Sequence, residues 1–214
     1  MLLETIPVLD ALTTGTPTTY YEEGNWRKQE FAGKALAPSA SGAKFTTFGT
    51  QAGSYWNAAS FGTTQAVSIK NNETTDLKER FWELWCCYAN THSGYKVRFT
   101  REATETTVVA TLFSVTTGTE SLLGTSSAIT TTEAGFLFGL LREPGKIKAY
   151  TKAPAGAWTL AVEAANSTFT TGFLAFGGQG SDPLFTAFSG GEPAAEIHRA
   201  PPRSLSTPSR RKVI

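Results

Sequence analysis

The acidic residues that could act in hydrolysis lack the spacing of a catalytic pair. Glu102 and Glu105 are separated by two residues in a turn-like stretch, and Glu79 and Glu83 are four positions apart. A retaining glycosidase needs two carboxyl groups about 5 Å apart, so we interpret these four as solvated surface acids. The chain has two histidines and no Gly-x-Ser-x-Gly or His-Glu-x-x-His motif. We therefore predict that the protein is not an enzyme.

The two cysteines, Cys86 and Cys87, are adjacent in the sequence. Neighbours on a strand point to opposite faces, which prevents them from holding one metal ion together, and His92 lies beyond the following turn. We interpret both as small buried hydrophobic residues. Three scattered Asp are too few for an acid-rich calcium site, and Asp182, which precedes a proline, is interpreted as a turn former. No disulfide, metal or cofactor is predicted.

Composition favours an all-β protein, either a β-sandwich or a β-barrel. The chain has 33 Thr, 20 Gly, 5 Trp, 6 Tyr and 14 Phe against a single Met, and β-branched and aromatic residues suit strands. No run of about 18 apolar residues is present, so no membrane span is predicted. The first residues, with Glu4 and Pro7, do not resemble a signal peptide. The net charge of +1 gives no general attraction to nucleic acid.

Short alternating runs between Gly-, Ser- and Asn-rich breaks predict the strands of an antiparallel sandwich. The segment Phe81–Ala89 is nearly all apolar and is predicted to be a central strand covered on both faces. Residues 95–100 alternate, which places Tyr95 inward and both Lys96 and Arg98 outward. Further strands are predicted at 65–70, 106–115, 120–124, 135–142, 146–152, 158–163, 168–176 and 184–188.

The last 23 residues differ from the rest of the chain, so we divide it into a body at 1–191 and a C-terminal arm at 192–214. The arm is rich in Pro and poor in apolar residues, a composition that is disordered when free. We predict an extended arm that docks on an acidic groove of a neighbouring subunit. A solvated tail and contact with DNA are the alternatives, although no aromatic residues interleave the charges. Its basic residues are Arg199, Arg203, Arg210, Arg211 and Lys212.

Several segments, taken in order, resemble a known family. They are 54–62 (SYWNAASFG), 95–98 (YKVR), 139–150 (GLLREPGKIKAY) and 184–191 (LFTAFSGG). Their order is similar to that in concanavalin A-like (laminin-G-like) jelly-roll domains of tailed-bacteriophage virion structural proteins. The resemblance covers about residues 9 to 191. It implies an all-β, two-sheet antiparallel jelly-roll sandwich, to which the extended C-terminal arm is added.

The resemblance also implies a binding face. In the family pattern Trp82, Leu84, Cys86 and Tyr88 face the core. This leaves Phe81, Glu83, Trp85 and Cys87 on the opposite face. An exposed Trp beside cations and a Tyr suits stacking on a sugar or a protein hot spot. Three interpretations of Trp85 stay open: cover by an edge loop or the N-terminal segment, contact with a partner subunit, and glycan binding. The predicted glycan- or partner-binding residues are Trp85, Lys96, Arg98, Lys148 and Tyr150.

The resemblance and the arm together predict a non-enzymatic structural protein of the phage virion. We favour a minor tail or tail-tip component over head decoration of the capsid. Its partners would be other virion proteins and copies of itself, and it would be made in the host cytoplasm and located in the virion. The alternative is a carbohydrate-binding, lectin-like module that recognises host cell-surface polysaccharide in host adhesion. Neither a membrane nor nucleic acid is predicted as a partner.

Overall fold

The computed structural model describes residues 2–10, 12, 25–29, 32, 37–39, 42–44, 51–72, 81–101, 106–131, 134–179 and 185–194. Most of this part of the chain is strand, as its composition predicts. No helix within these ranges has the length and apolar character needed to cross a membrane. A short 3-10 helix covers Leu2–Glu4. The strands are β1 Val8–Asp10, β2 Trp26–Lys28, β3 Ala37–Ser39, β4 Gly42–Lys44, β5 Ala52–Phe61, β6 Gln65–Asn71, β7 Phe81–Ala89, β8 Ser93–Arg101, β9 Thr107–Thr116, β10 Thr119–Thr125, β11 Ile129–Thr130, β12 Leu137–Glu143, β13 Lys146–Lys152, β14 Trp158–Ala165, β15 Gly172–Gln179 and β16 Phe185–Gly191.

The strands form two antiparallel sheets that pack face to face. The front sheet has the order β10-β9-β8-β7-β15-β5-β2, with β11 beside β9. The back sheet has the order β14-β13-β12-β6-β16-β4-β3, with β1 beside β16. Many hydrogen-bonded neighbours are far apart in the sequence, such as β15 between β5 and β7. The all-β, two-sheet jelly-roll sandwich expected from the sequence is therefore confirmed.

Aromatic side chains from both sheets fill the space between them. Trp82 of the front sheet meets Phe138 of the back sheet edge-on at 4.8 Å, and Phe176 meets Phe185 in the same way at 4.9 Å. Phe99 packs on both Trp82 and Phe138. All five side chains are buried. Burying each aromatic ring contributes about 1.5–3 kcal/mol, which makes this cluster a main source of stability.

Strand β7 lies at the middle of the front sheet, with β15 and β8 on either side. Its residues 82–88 are all buried, as predicted for a central strand covered on both faces. The strands β7 and β13 have the bounds expected from the sequence. Strand β5 was not expected from alternation, because Tyr55 and Trp56 are adjacent and both buried, one in each of two apolar clusters.

A β-bulge at Cys87 breaks the alternation of β7. Cys87 has a positive φ of 54°, and the register with β8 shifts between Cys86 and Ala89. The extra residue turns Cys87 into the main core beside Cys86 and sends Tyr88 to the outer side of the front sheet. The predicted core-facing position of Tyr88 is therefore wrong, as are the opposite faces predicted for the two cysteines. The core-facing positions of Trp82, Leu84 and Cys86 are confirmed.

Both cysteines are free and buried, as predicted for small hydrophobic residues. Burial raises the pKa of the Cys87 thiol to about 11, although the nearby Arg142 guanidinium acts in the opposite direction. Burial, followed by the neighbouring Cys87, raises the pKa of the Cys86 thiol as well. Both groups therefore stay protonated near neutral pH, and a protonated thiol is a poor nucleophile and metal ligand.

The residues that follow the last strand are attached to the body. Strand β16 ends at Gly191, and the Gly62 amide donates a hydrogen bond of 2.6 Å to the Glu192 carboxylate. Pro193 is buried. The five basic residues of the predicted arm, Arg199, Arg203, Arg210, Arg211 and Lys212, lie outside the described residues. Docking of the arm and its boundary at residue 192 therefore stay predictions.

Candidate functional site

The register of strands β7 to β10 brings charged and aromatic side chains together on the outer face of the front sheet. Glu83 lies opposite Arg98 in the β7–β8 hairpin, and Lys96 lies opposite Phe113 on β9. Residues directly opposite each other in an antiparallel pair are close enough for their side chains to interact. We call this group the outer-face cluster. It consists of Phe81, Glu83, Lys96, Arg98, Phe113 and Glu120.

Four charges of the cluster form a closed ion network. The Lys96 ammonium group lies 2.7 Å from Oε1 of Glu83 and 2.6 Å from Oε1 of Glu120. The Arg98 guanidinium donates to the same two oxygens, through Nε at 2.7 Å and Nη2 at 2.8 Å. Gln51 adds a hydrogen bond of 3.1 Å to the other oxygen of Glu83. Each cation therefore contacts both carboxylates, and the two positive charges balance the two negative ones.

Phenyl rings hold the guanidinium in place. The Cζ atom of Arg98 lies 4.7 Å from the ring centre of Phe81 and 5.2 Å from that of Phe113, which is within cation–π range. The Lys96 ammonium lies 5.0 Å from the ring centre of Trp85. Glu83 and Lys96 are buried, whereas the side chains of Arg98 and Glu120 are 25% and 35% exposed. A ligand on this face would therefore meet Arg98 and Glu120.

Electrostatics keep the exposed pair ionised. Partial burial acts to lower the pKa of Arg98, but the Glu83 and Glu120 carboxylates outweigh it and raise that pKa above its ordinary value. Partial burial acts to raise the pKa of Glu120, but hydrogen bonds and charges from Lys96 and Arg98 outweigh it and lower that pKa. The site therefore presents a fixed cation and a fixed anion side by side near neutral pH.

Two polar atoms of this pair have spare hydrogen-bonding capacity. Within the described part of the chain, no residue accepts a hydrogen bond from Nη1 of Arg98 or donates one to Oε2 of Glu120. A guanidinium only donates and a carboxylate only accepts. The pair therefore offers one donor atom and one acceptor atom, next to the rings of Phe81 and Phe113.

The structure gives Trp85 a buried position. Its ring packs against Tyr88 at 5.5 Å and His92 at 5.2 Å, and its exposed fraction is 0%. Trp85 lies on the outer side of β7, as expected, because it belongs to an apolar cluster with Tyr55 and Tyr88 that is separate from the main core. Of the three interpretations left open for Trp85, cover of the ring agrees with this burial, and direct stacking of the ring on a ligand does not. Lys96, expected to point outward, is buried as well.

Lys148 and Tyr150 do not join the predicted face. Both lie on β13 of the back sheet, with Lys148 paired to Glu143 and Tyr150 packed on the cluster that contains Leu3. The outer faces of the two sheets are opposite sides of the sandwich. Of the five predicted residues, only Trp85, Lys96 and Arg98 therefore come together.

Sequence reasoning also missed part of the cluster. Glu83 was interpreted as a solvated surface acid, yet it is fully buried. Phe81 was expected on this face but was given no role, and Phe113 and Glu120 were not singled out. The available signal was Glu83 itself, since it is the one charged residue in the otherwise apolar segment Phe81–Ala89. No group of three or more His, Cys, Asp or Glu that could hold a metal ion exists among the residues the structure describes.

Replacing Glu83 should destabilise the fold. The change Glu83→Gln leaves Lys96 buried with only the half-exposed Glu120 to balance it, and breaking a buried pair typically costs about 3–5 kcal/mol. We expect a loss of this size in the free energy of unfolding, measured by equilibrium urea denaturation. The matched control Glu163→Gln removes an acid from the exposed pairs with Lys146 and Lys148 and should leave the midpoint nearly unchanged. Equal effects of the two changes would contradict this role of Glu83.

Glu120 should make stability depend on pH. Its pKa is lower in the folded protein than its ordinary value of 4.5, so its stabilising contribution is complete above that value and is lost as the pH falls through the folded pKa. Melting temperatures of the wild type and Glu120→Gln should differ at pH 7 and converge as the pH falls below 4.5. Parallel curves across this range would show that Glu120 contributes nothing through its charge.

Solved structures resemble this fold, although no family model and no curated protein matches the sequence. A carbohydrate binding module, CBM66 from Bacillus subtilis, is 12% identical with a TM-score of 0.60, over 79% of this chain and 97% of that one. The VIP36 exoplasmic/lumenal domain in a Ca²⁺/Man2-bound form is 8% identical with a TM-score of 0.65, over 90% and 91%. A legume lectin-like domain from Entamoeba histolytica is 7% identical with a TM-score of 0.56, over 78% and 85%. The fold of this chain is therefore the jelly roll of the lectins.

Proposed function

We propose that this protein is a lectin-like carbohydrate-binding module and that its glycan lies across the outer-face cluster. The observation that carries the proposal is the Arg98–Glu120 pair, a donor beside an acceptor, held between Phe81 and Phe113. The resemblance in fold to a carbohydrate binding module and to the VIP36 exoplasmic/lumenal domain in its Ca²⁺/Man2-bound form supports it. Binding, and no chemical conversion of the glycan, is the activity proposed.

The chemistry of the cluster fits a sugar. Adjacent hydroxyl groups on a pyranose ring can accept a hydrogen bond from Nη1 of Arg98 and donate one to Oε2 of Glu120. The apolar C–H face of the ring would rest on Phe81 or Phe113. Leu122 lies opposite Phe113 on β10 and is 65% exposed, which extends the apolar surface towards the edge of the sheet. Because Arg98 is fixed by two carboxylates and two rings, little side-chain entropy is lost on binding.

A second proposal concerns where the module acts. The order of sequence segments and the basic residues between 197 and 214 favour a component of a tailed-phage virion, in a minor tail position in preference to the head. In such a particle the body would be displayed and the arm would hold neighbouring subunits. Glycan binding and virion location are compatible, since a displayed module could attach the particle to host polysaccharide.

Removing the guanidinium should weaken glycan binding. We expect Arg98→Ala to lose at least about tenfold in affinity, because the donor to the sugar hydroxyl is gone. Affinity electrophoresis in gels that contain plant or yeast polysaccharides measures this, with a thermal melt to verify folding. The control Lys148→Ala lies on the opposite side of the sandwich and should bind as the wild type does. Unchanged retardation of Arg98→Ala would place the glycan elsewhere, and no retardation of the wild type in any gel would overturn the proposal.

Truncation tests the virion proposal. A chain that ends at Ala194 keeps the Glu192–Gly62 bond and the buried Pro193, so its melting temperature should match that of the full chain. If the arm holds neighbours, the truncated protein should be absent from purified phage particles that incorporate the full-length form, as seen by immunogold electron microscopy. Equal labelling of both particles would refute the role of the arm, and no labelling of either would refute the virion location.

A further inference from the structure

The outer-face cluster carries no net charge, although it contains four ionised groups. Oε1 of Glu83 and Oε1 of Glu120 each accept hydrogen bonds from both Lys96 and Arg98. Glu83 and Lys96 are buried, so their charges cancel out of reach of a ligand. What remains at the surface is Arg98 beside Glu120, which is again one positive and one negative charge.

The guanidinium of Arg98 is poorly placed to receive an anion. Protein sites for carboxylate, sulfate or phosphate use the planar fork of an arginine, with two parallel N–H donors towards the ligand. Here Nε and Nη2 are already bonded to Glu83 and Glu120. Only Nη1 is left for a ligand among the contacts with described residues, and its two N–H groups diverge, so no pair of parallel donors is available to an acidic group.

The carboxylate of Glu120 also repels an acidic ligand. Its Oε2 atom accepts no hydrogen bond from a described residue, and its side chain is 35% exposed, so a ligand on this face can reach the carboxylate. A hydroxyl group can donate to this oxygen, whereas a uronate or a sulfate ester would place a second negative charge beside it. The adjoining cross-strand positions do not compensate, because Thr111 lies opposite Arg98 and Leu122 opposite Phe113.

We infer, on the basis of the proposed function, that the outer-face site selects uncharged glycans and rejects acidic ones, and that Glu120 is the residue that sets this selection. Glu120 does so in two ways, by occupying the second arm of the Arg98 fork and by presenting its own negative charge. Replacing Glu120 by an uncharged residue would leave the cluster with one excess positive charge. The same face would then attract an acidic polysaccharide.

The experiment compares neutral and acidic polysaccharides on the same protein. Affinity electrophoresis is run with yeast mannan and a plant galactan as neutral probes and with polygalacturonate as the acidic probe. The wild type should bind at least one neutral probe, and its affinity for the acidic probe should be at least about tenfold lower. Glu120→Gln should gain at least about tenfold in affinity for polygalacturonate, and 0.5 M salt, roughly three times physiological ionic strength, should remove most of that gain. Glu163→Gln on the back sheet serves as the charge-matched control and should gain nothing.

A second variant keeps the inference testable if Glu120→Gln folds poorly. Thr111 lies opposite Arg98 and takes no part in the ion network, so Thr111→Lys adds a cation at the site without breaking it. This variant should also gain affinity for polygalacturonate. Failure of both folded variants to gain would overturn the role of charge in selection.

The outcomes separate the inference from the function on which it rests. Wild-type binding to polygalacturonate as strong as to a neutral probe would overturn the selection and leave glycan binding intact. If the wild type binds none of the three probes and no other polysaccharide tested, both glycan binding and the selection are overturned. Preference for the neutral probe in the wild type, lost in Glu120→Gln, would establish the selection and its cause.

Discussion

A carboxylate with no exposed surface must have its charge balanced within the protein, and Glu83 imposes this requirement on the middle of the front sheet. Lys96 and Arg98 from the next strand satisfy it, and both also contact Glu120 from the sheet edge. The position of Arg98 between Phe81 and Phe113 follows from these contacts. The shape and charge of the outer face thus depend on one acidic residue in a strand that is otherwise apolar.

The local alternation of apolar and polar residues was sufficient to predict most of the long strands. It did not predict which strands pair with each other. Alternation predicted β8 and β13, because each has one face in the core and the other outside it. The bulge at Cys87 could not be predicted, because nothing in the local sequence requires an extra residue there. Lys148 and Tyr150 were assigned to the wrong face because the sheet to which a strand belongs is decided by pairing between distant segments.

Part of the candidate site could have been found from the sequence. With the β7–β8 turn correctly placed, counting back along the hairpin sets Glu83 opposite Arg98. Glu120 is different, because its contact with Arg98 crosses two strand pairings, and each must be in register before the carboxylate reaches the guanidinium. Burial was the harder property to foresee, since Trp85 and Lys96 are covered by side chains from β7, β8 and β9 that pack only in the folded sheet.

The environment of Cys86 and Cys87 has a consequence for where this fold can exist. Disulfide-stapled modules depend on an oxidising compartment and lose stability in a reducing one. Here both thiols are buried, unpaired and kept protonated, so oxidants and thiol-exchange partners find no accessible thiolate. The sandwich is held by packing and by the Glu83 ion network instead. A change in the redox potential of the surroundings therefore does not act on the described core through these two residues.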